Sequence, residues 1–215
     1  MVYNTNLFAT KEVNIMEEKK MTEQESLELI TRMIGETKKQ MGKGGGNPLL
    51  LWGYLTIAVS AIVYIALSYT GDPWTQMLWW LLPLIGWPTM IRMRRNEEKR
   101  AITFIDRTIG SLWLVLGICF CLIPVYAIFT NVHLPVLFME AMLVNAGVAI
   151  TGLIIKYKPV SICGFLGILF SFVFLVTHGI ETILIFGGMF GIFMVIPGHL
   201  LNAAEKNEIK KEAHV

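Results

Sequence analysis

The chain has 215 residues and a mass of 24.2 kDa, enough for one domain. Hydrophobic residues make up 54% of it and charged residues 16%, against about 25% charged residues in soluble domains, which excludes a disordered chain and disfavours a soluble globule. Three cysteines are too few for a disulfide-stapled scaffold, and a formal net charge of +2 says less than where the charges lie.

The first 20 residues differ from the rest of the chain. Residues 1–15 show no helical periodicity and no clear helix cap, which is typical of a disordered tail. A second interpretation is that translation begins at Met16 or Met21 and that the preceding residues are not made. Both interpretations place the first structured segment after residue 20.

An amphipathic helix and a hinge are predicted over residues 21–48. Thr22 and Glu25 have the spacing of a capping box, and the glycine-rich stretch 42–46 ends the helix. The apolar stripe of this helix has three possible partners: the membrane surface, a cytoplasmic protein or second copy, or the protein's own loops. The stripe consists of Leu27, Ile30, Ile34 and Met41. Asn47 and Pro48 then predict a new helix, with Asn47 as its N-cap.

Six stretches reach or approach the roughly 20 apolar residues that a helix needs to cross a bilayer core about 30 Å thick. We therefore predict an all-α, polytopic membrane bundle of six transmembrane helices, arranged as three hairpins within residues 49–201. Short turns join the two helices of each hairpin. The predicted spans are residues 49–69, 74–91, 108–129, 134–155, 160–177 and 180–201.

The basic residues predict the orientation. All 18 Lys and Arg residues lie in the two tails, between the second and third spans, or between the fourth and fifth spans. By the positive-inside rule both termini are cytoplasmic, including the tail 202–215. The basic loop 92–107 also contains acidic residues, so we interpret it as a solvated charged face and not as a nucleic-acid site.

Glu140 is the most informative single residue, because it lies about 9 Å inside the predicted fourth span. An ionised carboxylate at that depth costs on the order of 2.5–3.5 kcal/mol, and no basic residue is predicted nearby. His133, Gly147 and Thr151 fall on the same helix face. Three interpretations are open: Glu140 is a proton- or cation-handling group, with His133 and Thr151, a neutral acid hydrogen-bonded between helices, or a lipid-exposed acid near the interface.

A weaker group of polar side chains is predicted at the outer ends of the spans. It contains Asp72, His178 and Glu181, together with His133. Histidine and carboxylate are metal-ligand types, but the spacing matches no metal motif, and no metal or cofactor is predicted. Asp72 before Pro73 suits a helix cap, and Glu181 in a first helical turn suits the helix dipole.

Small residues in the spans predict close helix packing. Asn145 and Gly152 lie on one small-residue stripe, and Gly187 and Gly191 form a Gly-x-x-x-Gly pair. The chain contains no His-Glu-x-x-His, no glycine-rich phosphate loop and no Gly-x-Ser-x-Gly. We therefore predict a protein that is not an enzyme.

Several short segments stand out by their order and spacing. They are Glu25-Ser26-Leu27, Leu50-Leu51-Trp52-Gly53-Tyr54, Asp106-Arg107, Leu112-Trp113, Gly152-Leu153-Ile154-Ile155-Lys156-Tyr157-Lys158-Pro159 and Ile196-Pro197-Gly198-His199-Leu200-Leu201. Together they resemble the segments of a family of small, uncharacterised six-span bacterial inner-membrane proteins. The resemblance covers about residues 25–202 and implies a bacterial inner membrane, without implying an activity.

Two functions are consistent with this sequence. The first is a non-enzymatic sensory, regulatory or scaffold protein, because a cytoplasmic helix is joined through a glycine hinge to a bundle with few embedded polar groups. The second is a small-molecule or ion transporter, or a channel subunit, that uses Glu140. A continuous polar path would distinguish them, because transport requires one.

Overall fold

The computed structural model describes Leu27 and residues 45–96, 104–130 and 133–212. The chain divides into two units, Met1–Gln40 and Met41–Val215. In the first unit only Leu27 is described, and it is helical and exposed. The tail 1–20 and the other residues of the predicted amphipathic stripe lie outside the described residues.

The described part of the second unit is helical and contains no strand, which confirms the all-α prediction. Its elements are α1 (Asn47–Thr70), a 3₁₀ helix (Pro73–Trp80), α2 (Leu81–Asn96), α3 (Phe104–Phe129), α4 (Val136–Ile154), α5 (Lys158–Ser171), the single turn α6 (Val173–Val176), α7 (Glu181–Phe190), a π-helical turn (Gly191–Val195) and α8 (Ile196–Glu212).

Five helical stretches in the described part of the chain are long and apolar enough to cross a membrane. They correspond to the predicted first, third, fourth, fifth and sixth spans, and their limits differ from the predicted ones by a few residues. The stretches are Asn47–Thr70, Phe104–Phe129, Val136–Ile154, Lys158–Val176 and Glu181–Asn207. The chain is therefore built as a multi-pass helical membrane protein.

The predicted second span, residues 74–91, is not one of these five stretches. It begins as the 3₁₀ helix and continues into the 16-residue α2. Two prolines account for this change of geometry. Pro73 occupies the first turn, and Pro83 has no N–H to donate to the carbonyl of Trp79 four residues earlier, which favours the tighter 3₁₀ turn ahead of it.

The centre of the bundle is formed by α1, α4, α5 and α7 with the π-helical turn. Glycines bring the backbones of α4 and α5 together: a side chain on Gly164 would meet the backbone of Ala149, and one on Gly152 would meet Ser161. On α7, Gly187 lies against Ser60 of α1 in the same way. Small residues let helices approach closely in a membrane, where van der Waals contact drives association.

α3 lies at the edge of the bundle. None of its 26 residues is fully buried, and it packs mainly against α4. Trp113 and Leu116 contact the backbone of α4 at Gly147. The opposite side of α3 is apolar and exposed in the isolated chain, as expected for a helix that faces lipid.

The glycine contacts make a testable prediction about stability. Gly164→Ala should destabilise the fold by about 1–3 kcal/mol, because the added methyl group has no room against Ala149 and must separate α4 from α5. Gly188→Ala is the matched control, since its added methyl group would meet nothing within 4 Å. That control should be neutral or slightly stabilising, because Ala is the better helix former.

Thermal unfolding of the detergent-solubilised protein measures both variants. Equal melting temperatures for Gly164→Ala and Gly188→Ala would contradict the close contact of α4 and α5.

Candidate functional site

Glu140 lies in the second turn of α4 and is partly buried. Its Oε1 is buried and has no hydrogen-bond partner among the described residues. The same face of α4 packs on α3, where Leu116 and Trp113 cover Gly147, and the Cys121 thiol of α3 lies within electrostatic range of the carboxyl group. Glu140 therefore faces the interface between α3 and α4.

Thr151 also lies at the interface between α3 and α4, but its hydrogen bonds are to residues other than Glu140. Its hydroxyl donates to the carbonyl of Gly147 at 2.7 Å and accepts from Trp113 Nε1 at 3.1 Å. Eleven residues separate it from Glu140, about 16 Å along the helix. Glu140 and Thr151 therefore lie on the same face of α4, as predicted, but are too far apart to form one site. The hydrogen bond from Trp113 to Thr151 instead links α3 to α4.

The polar residues at the other predicted positions are also dispersed. His133 is exposed ahead of α4, and Glu181 is the first residue of α7. Asp72 caps the 3₁₀ helix, because its Oδ1 accepts from the backbone N–H of Trp74 at 3.0 Å. His178 lies in the turn before α7. Within the described ranges, no three His, Cys, Asp or Glu side chains are close enough to hold a metal ion.

Asn145 is buried at the centre of the bundle. Its Nδ2 donates to the carbonyl of Ala141 at 2.8 Å and lies 3.3 Å from the sulfur of Met189 in α7. Gly167 of α5 faces the Asn145 amide, and any side chain there would overlap it. Asn145 thus packs α4 against both α5 and α7.

A group of polar contacts that was not predicted joins the start of α1 to α8. We call it the α1–α8 junction and define it by Gly46, Asn47, Tyr54, His199 and Asn202. The backbone N–H of Gly46 donates to Asn202 Oδ1 at 3.1 Å, and Asn202 Nδ2 donates to Asn47 Oδ1 at 2.8 Å. A few residues along α1, Tyr54 Oη and His199 Nε2 are 2.8 Å apart.

The junction corrects the predicted role of Asn47. The N-cap of α1 is Gly46, with no side-chain capping bond, and Asn47 is the first helical residue. Its side-chain Oδ1 instead accepts a hydrogen bond from Asn202, which is 155 residues away in the sequence. Asn-Pro predicts the start of α1 well, but a local pattern carries no information about a partner so distant.

Apolar contacts support the junction from both sides. A side chain on Gly198 would lie 3.0 Å from Leu50, and one on Gly53 would lie 2.7 Å from Val195. The hydroxyl of Tyr157, just before α5, donates to the carbonyl of Leu200 at 3.2 Å. The start of α1 and the start of α8 are therefore in close contact along their length.

The π-helical turn sets the direction in which α8 leaves the bundle. The backbone N–H of Ile196 donates to the carbonyl of Gly191, five residues earlier, and the next residue is the buried Pro197. A proline inside a regular α-helix clashes with the carbonyl four residues before it, and the wider π turn accommodates that misfit. Gly198 and His199 follow directly and reach α1.

Comparisons with protein-family models, with characterised proteins and with solved structures find no match to this chain. The family resemblance in the sequence therefore stays a prediction. The account of the junction therefore rests on its geometry alone, which holds the starts of α1 and α8 together.

The two hydrogen bonds of Asn202 predict its contribution to stability. Asn202→Ala removes both and should lower the free energy of unfolding by about 1–3 kcal/mol. Asn207→Ala is the matched control, with the same residue type, the same helix and an exposed side chain, and should change stability by less than about 0.5 kcal/mol. Equal effects of the two substitutions on chemical or thermal unfolding would show that the junction does not hold α8.

Proposed function

We propose that this chain is a six-span protein of the bacterial inner membrane, with both termini in the cytoplasm and a non-enzymatic sensory, regulatory or scaffold role. The observation that carries this proposal is the α1–α8 junction. It ties the point where the N-terminal segment enters the bundle to the helix that leads into the C-terminal tail.

The predicted second span is supplied by the 3₁₀ helix and α2 together, and it brings the number of spans to six. The last residue of the 3₁₀ helix is followed without a break by α2, so the two form one helical path from Pro73 to Asn96. At rises of about 2.0 Å and 1.5 Å per residue, this path is about 40 Å long, enough to cross a bilayer core about 30 Å thick. Six spans also place all 18 Lys and Arg residues on one side of the membrane.

The junction gives a physical route for regulation. The predicted glycine hinge, residues 42–46, ends at the residue whose backbone is bound by Asn202. A displacement of the hinge segment moves Gly46 and Asn47, and the hydrogen bonds between these residues and Asn202 transmit that movement to α8. A protein or a second copy that binds the predicted stripe of Leu27, Ile30, Ile34 and Met41 is therefore coupled to the C-terminal tail.

Transport by Glu140 is the second candidate function, and one observation favours it: the buried Oε1 has no hydrogen-bond partner among the described residues. Other buried polar side chains of the bundle favour the regulatory role instead. Thr151 and Ser171 donate to carbonyls of their own helices, and Asn145 Nδ2 donates to the carbonyl of Ala141, bonds that support packing. Among the described residues, the buried oxygens Ser60 Oγ, Asn145 Oδ1 and Thr182 Oγ1 also lack a partner, and transport would require a continuous path that joins such sites to Glu140.

The six-span arrangement predicts the accessibility of each turn. Reporter fusions after Lys43, Arg95, Lys158 and Lys206 should all report cytoplasm, because these positions flank the basic segments. Fusions at Gly71, Asn131 and His178 should report the opposite side. An inverted signal on either side of the 3₁₀ helix would reduce the spans to five and overturn this topology.

Photo-crosslinking in cells tests the regulatory role. A photoreactive residue at Leu27 or Ile34 should give a discrete adduct, with a partner protein or a second copy, because both positions lie on the predicted stripe. Arg32 is the control, since it lies about 140° from Leu27 and about 160° from Ile34 around the predicted helix. Asn202→Ala should change the adduct yield if the junction transmits the coupling, whereas Asn207→Ala should leave it unchanged.

The absence of any adduct at Leu27 and Ile34 would contradict the partner interaction. An adduct whose yield is the same in Asn202→Ala and in the unsubstituted chain would contradict the coupling through the junction.

Glu140→Gln separates the two candidate functions. The amide keeps the shape and hydrogen-bonding capacity of a neutral acid, so a packing role predicts a stability change of about 1 kcal/mol or less. Transport predicts that the same substitution abolishes a proton- or cation-dependent flux in proteoliposomes. Flux in the unsubstituted protein that disappears in Glu140→Gln would overturn the regulatory assignment in favour of transport.

A further inference from the structure

The 3₁₀ helix forms an open groove at the end of the bundle where α1 ends. The groove has a volume of about 420 Å³, within the range of about 300–1,000 Å³ that small-molecule sites occupy. Asp72 lies at its upper end, and Leu84 of α2 lies at its lower end. In the six-span arrangement proposed above, on which this inference rests, this end of the bundle lies at the boundary between lipid and water.

The geometry of a 3₁₀ helix explains the shape of this groove. With three residues per turn, side chains three apart stand in line along the axis. Trp74, Met77 and Trp80 therefore form one straight ridge, and Leu78 and Leu81 belong to the next. The channel between two such ridges runs along the helix, towards the membrane interior.

The two ridges differ in how firmly they are held. Leu78 and Leu81 pack against a small core of Val59, Val63 and Ile183, so this side of the groove is a fixed wall. Trp74 is 72% exposed, whereas Trp80 is 40% exposed and therefore partly covered by the chain. The groove thus offers an apolar wall, one open indole at Trp74 and a half-buried indole at Trp80.

The charge of the groove is acidic. Asp72 is the one ionisable residue that lines it, and only its Oδ1 is used in capping the 3₁₀ helix. The sequence contains no Lys or Arg between Lys43 and Arg92. None of the described residues that line the groove is a Lys or Arg, so the groove favours a headgroup whose phosphate is accompanied by an ammonium group over one whose only charge is the phosphate. The ammonium group is attracted both to the carboxylate and to the indole faces.

From this geometry we propose that the groove binds a membrane lipid with an ammonium headgroup. The headgroup lies between Asp72 and Trp74, and the first part of an acyl chain lies along the wall formed by Leu78 and Leu81. The Asp72 carboxylate and the indoles select the cationic group, and the apolar wall holds the chain. Selection for the ammonium group of the headgroup is the property that distinguishes this site from the rest of the lipid-facing surface.

Native mass spectrometry of the full chain in detergent tests the proposal, with phosphatidylethanolamine as the ammonium probe and phosphatidylglycerol of the same acyl chains as the anionic comparison. The unsubstituted protein should retain the first ammonium lipid with the higher affinity. Asp72→Asn should reduce that preference about two- to fivefold. Asn is as good an N-cap as Asp, so the 3₁₀ helix keeps its capping bond while the charge is removed.

Two further variants make the test specific. Trp74→Leu keeps an apolar side chain and removes the indole face, and should also lower the preference for the ammonium lipid. Glu181→Gln removes a carboxylate from the first turn of α7, outside the groove, and should leave the preference unchanged. No preference in the unsubstituted protein, or an equal loss in Glu181→Gln, would overturn the proposal.

Discussion

Close contact between helix backbones is the constraint on which the rest of this structure depends. In a membrane the apolar side chains gain little by leaving lipid, so helices associate where small residues allow their surfaces to meet. Gly152 and Gly164 let α4 and α5 approach, and Gly187 lets α7 approach α1. The polar side chain of Asn145 then fits into the space that Gly167 leaves open. The glycines determine which helices are neighbours, and the polar groups fix their register.

The same constraint places the α1–α8 junction. α1 packs along α7, and the π-helical turn then directs α8 so that Gly198 meets Leu50. Only at that distance can Asn202 bind both the Gly46 backbone and the Asn47 side chain. The proposed coupling between the N-terminal segment and the C-terminal tail therefore follows from the way the spans pack, and not from a separate domain.

Much of this fold is predictable from the sequence, and the junction is not. Apolar runs predict five spans closely, because a helix in lipid must satisfy its own backbone; α1, for example, is predicted over 49–69 and spans Asn47–Thr70. The second predicted span differs because its prolines favour a 3₁₀ start, an effect that mean hydropathy does not register. Glu140 stands out in the sequence as an embedded acid. Asn202 does not, because its partners lie about 155 residues away and no local pattern connects them.

Hydrogen exchange at the Gly46 amide tests the central claim most directly. This N–H precedes the regular bonds of α1, and its partner is the side chain of Asn202. For the protein in lipid nanodiscs, the account predicts that the Gly46 amide is protected and that Asn202→Ala removes this protection, while Asn207→Ala preserves it. A Gly46 amide that exchanges equally fast in the unsubstituted protein and in Asn202→Ala would contradict the account, because Asn202 would then not hold the backbone at the point where the N-terminal segment joins α1.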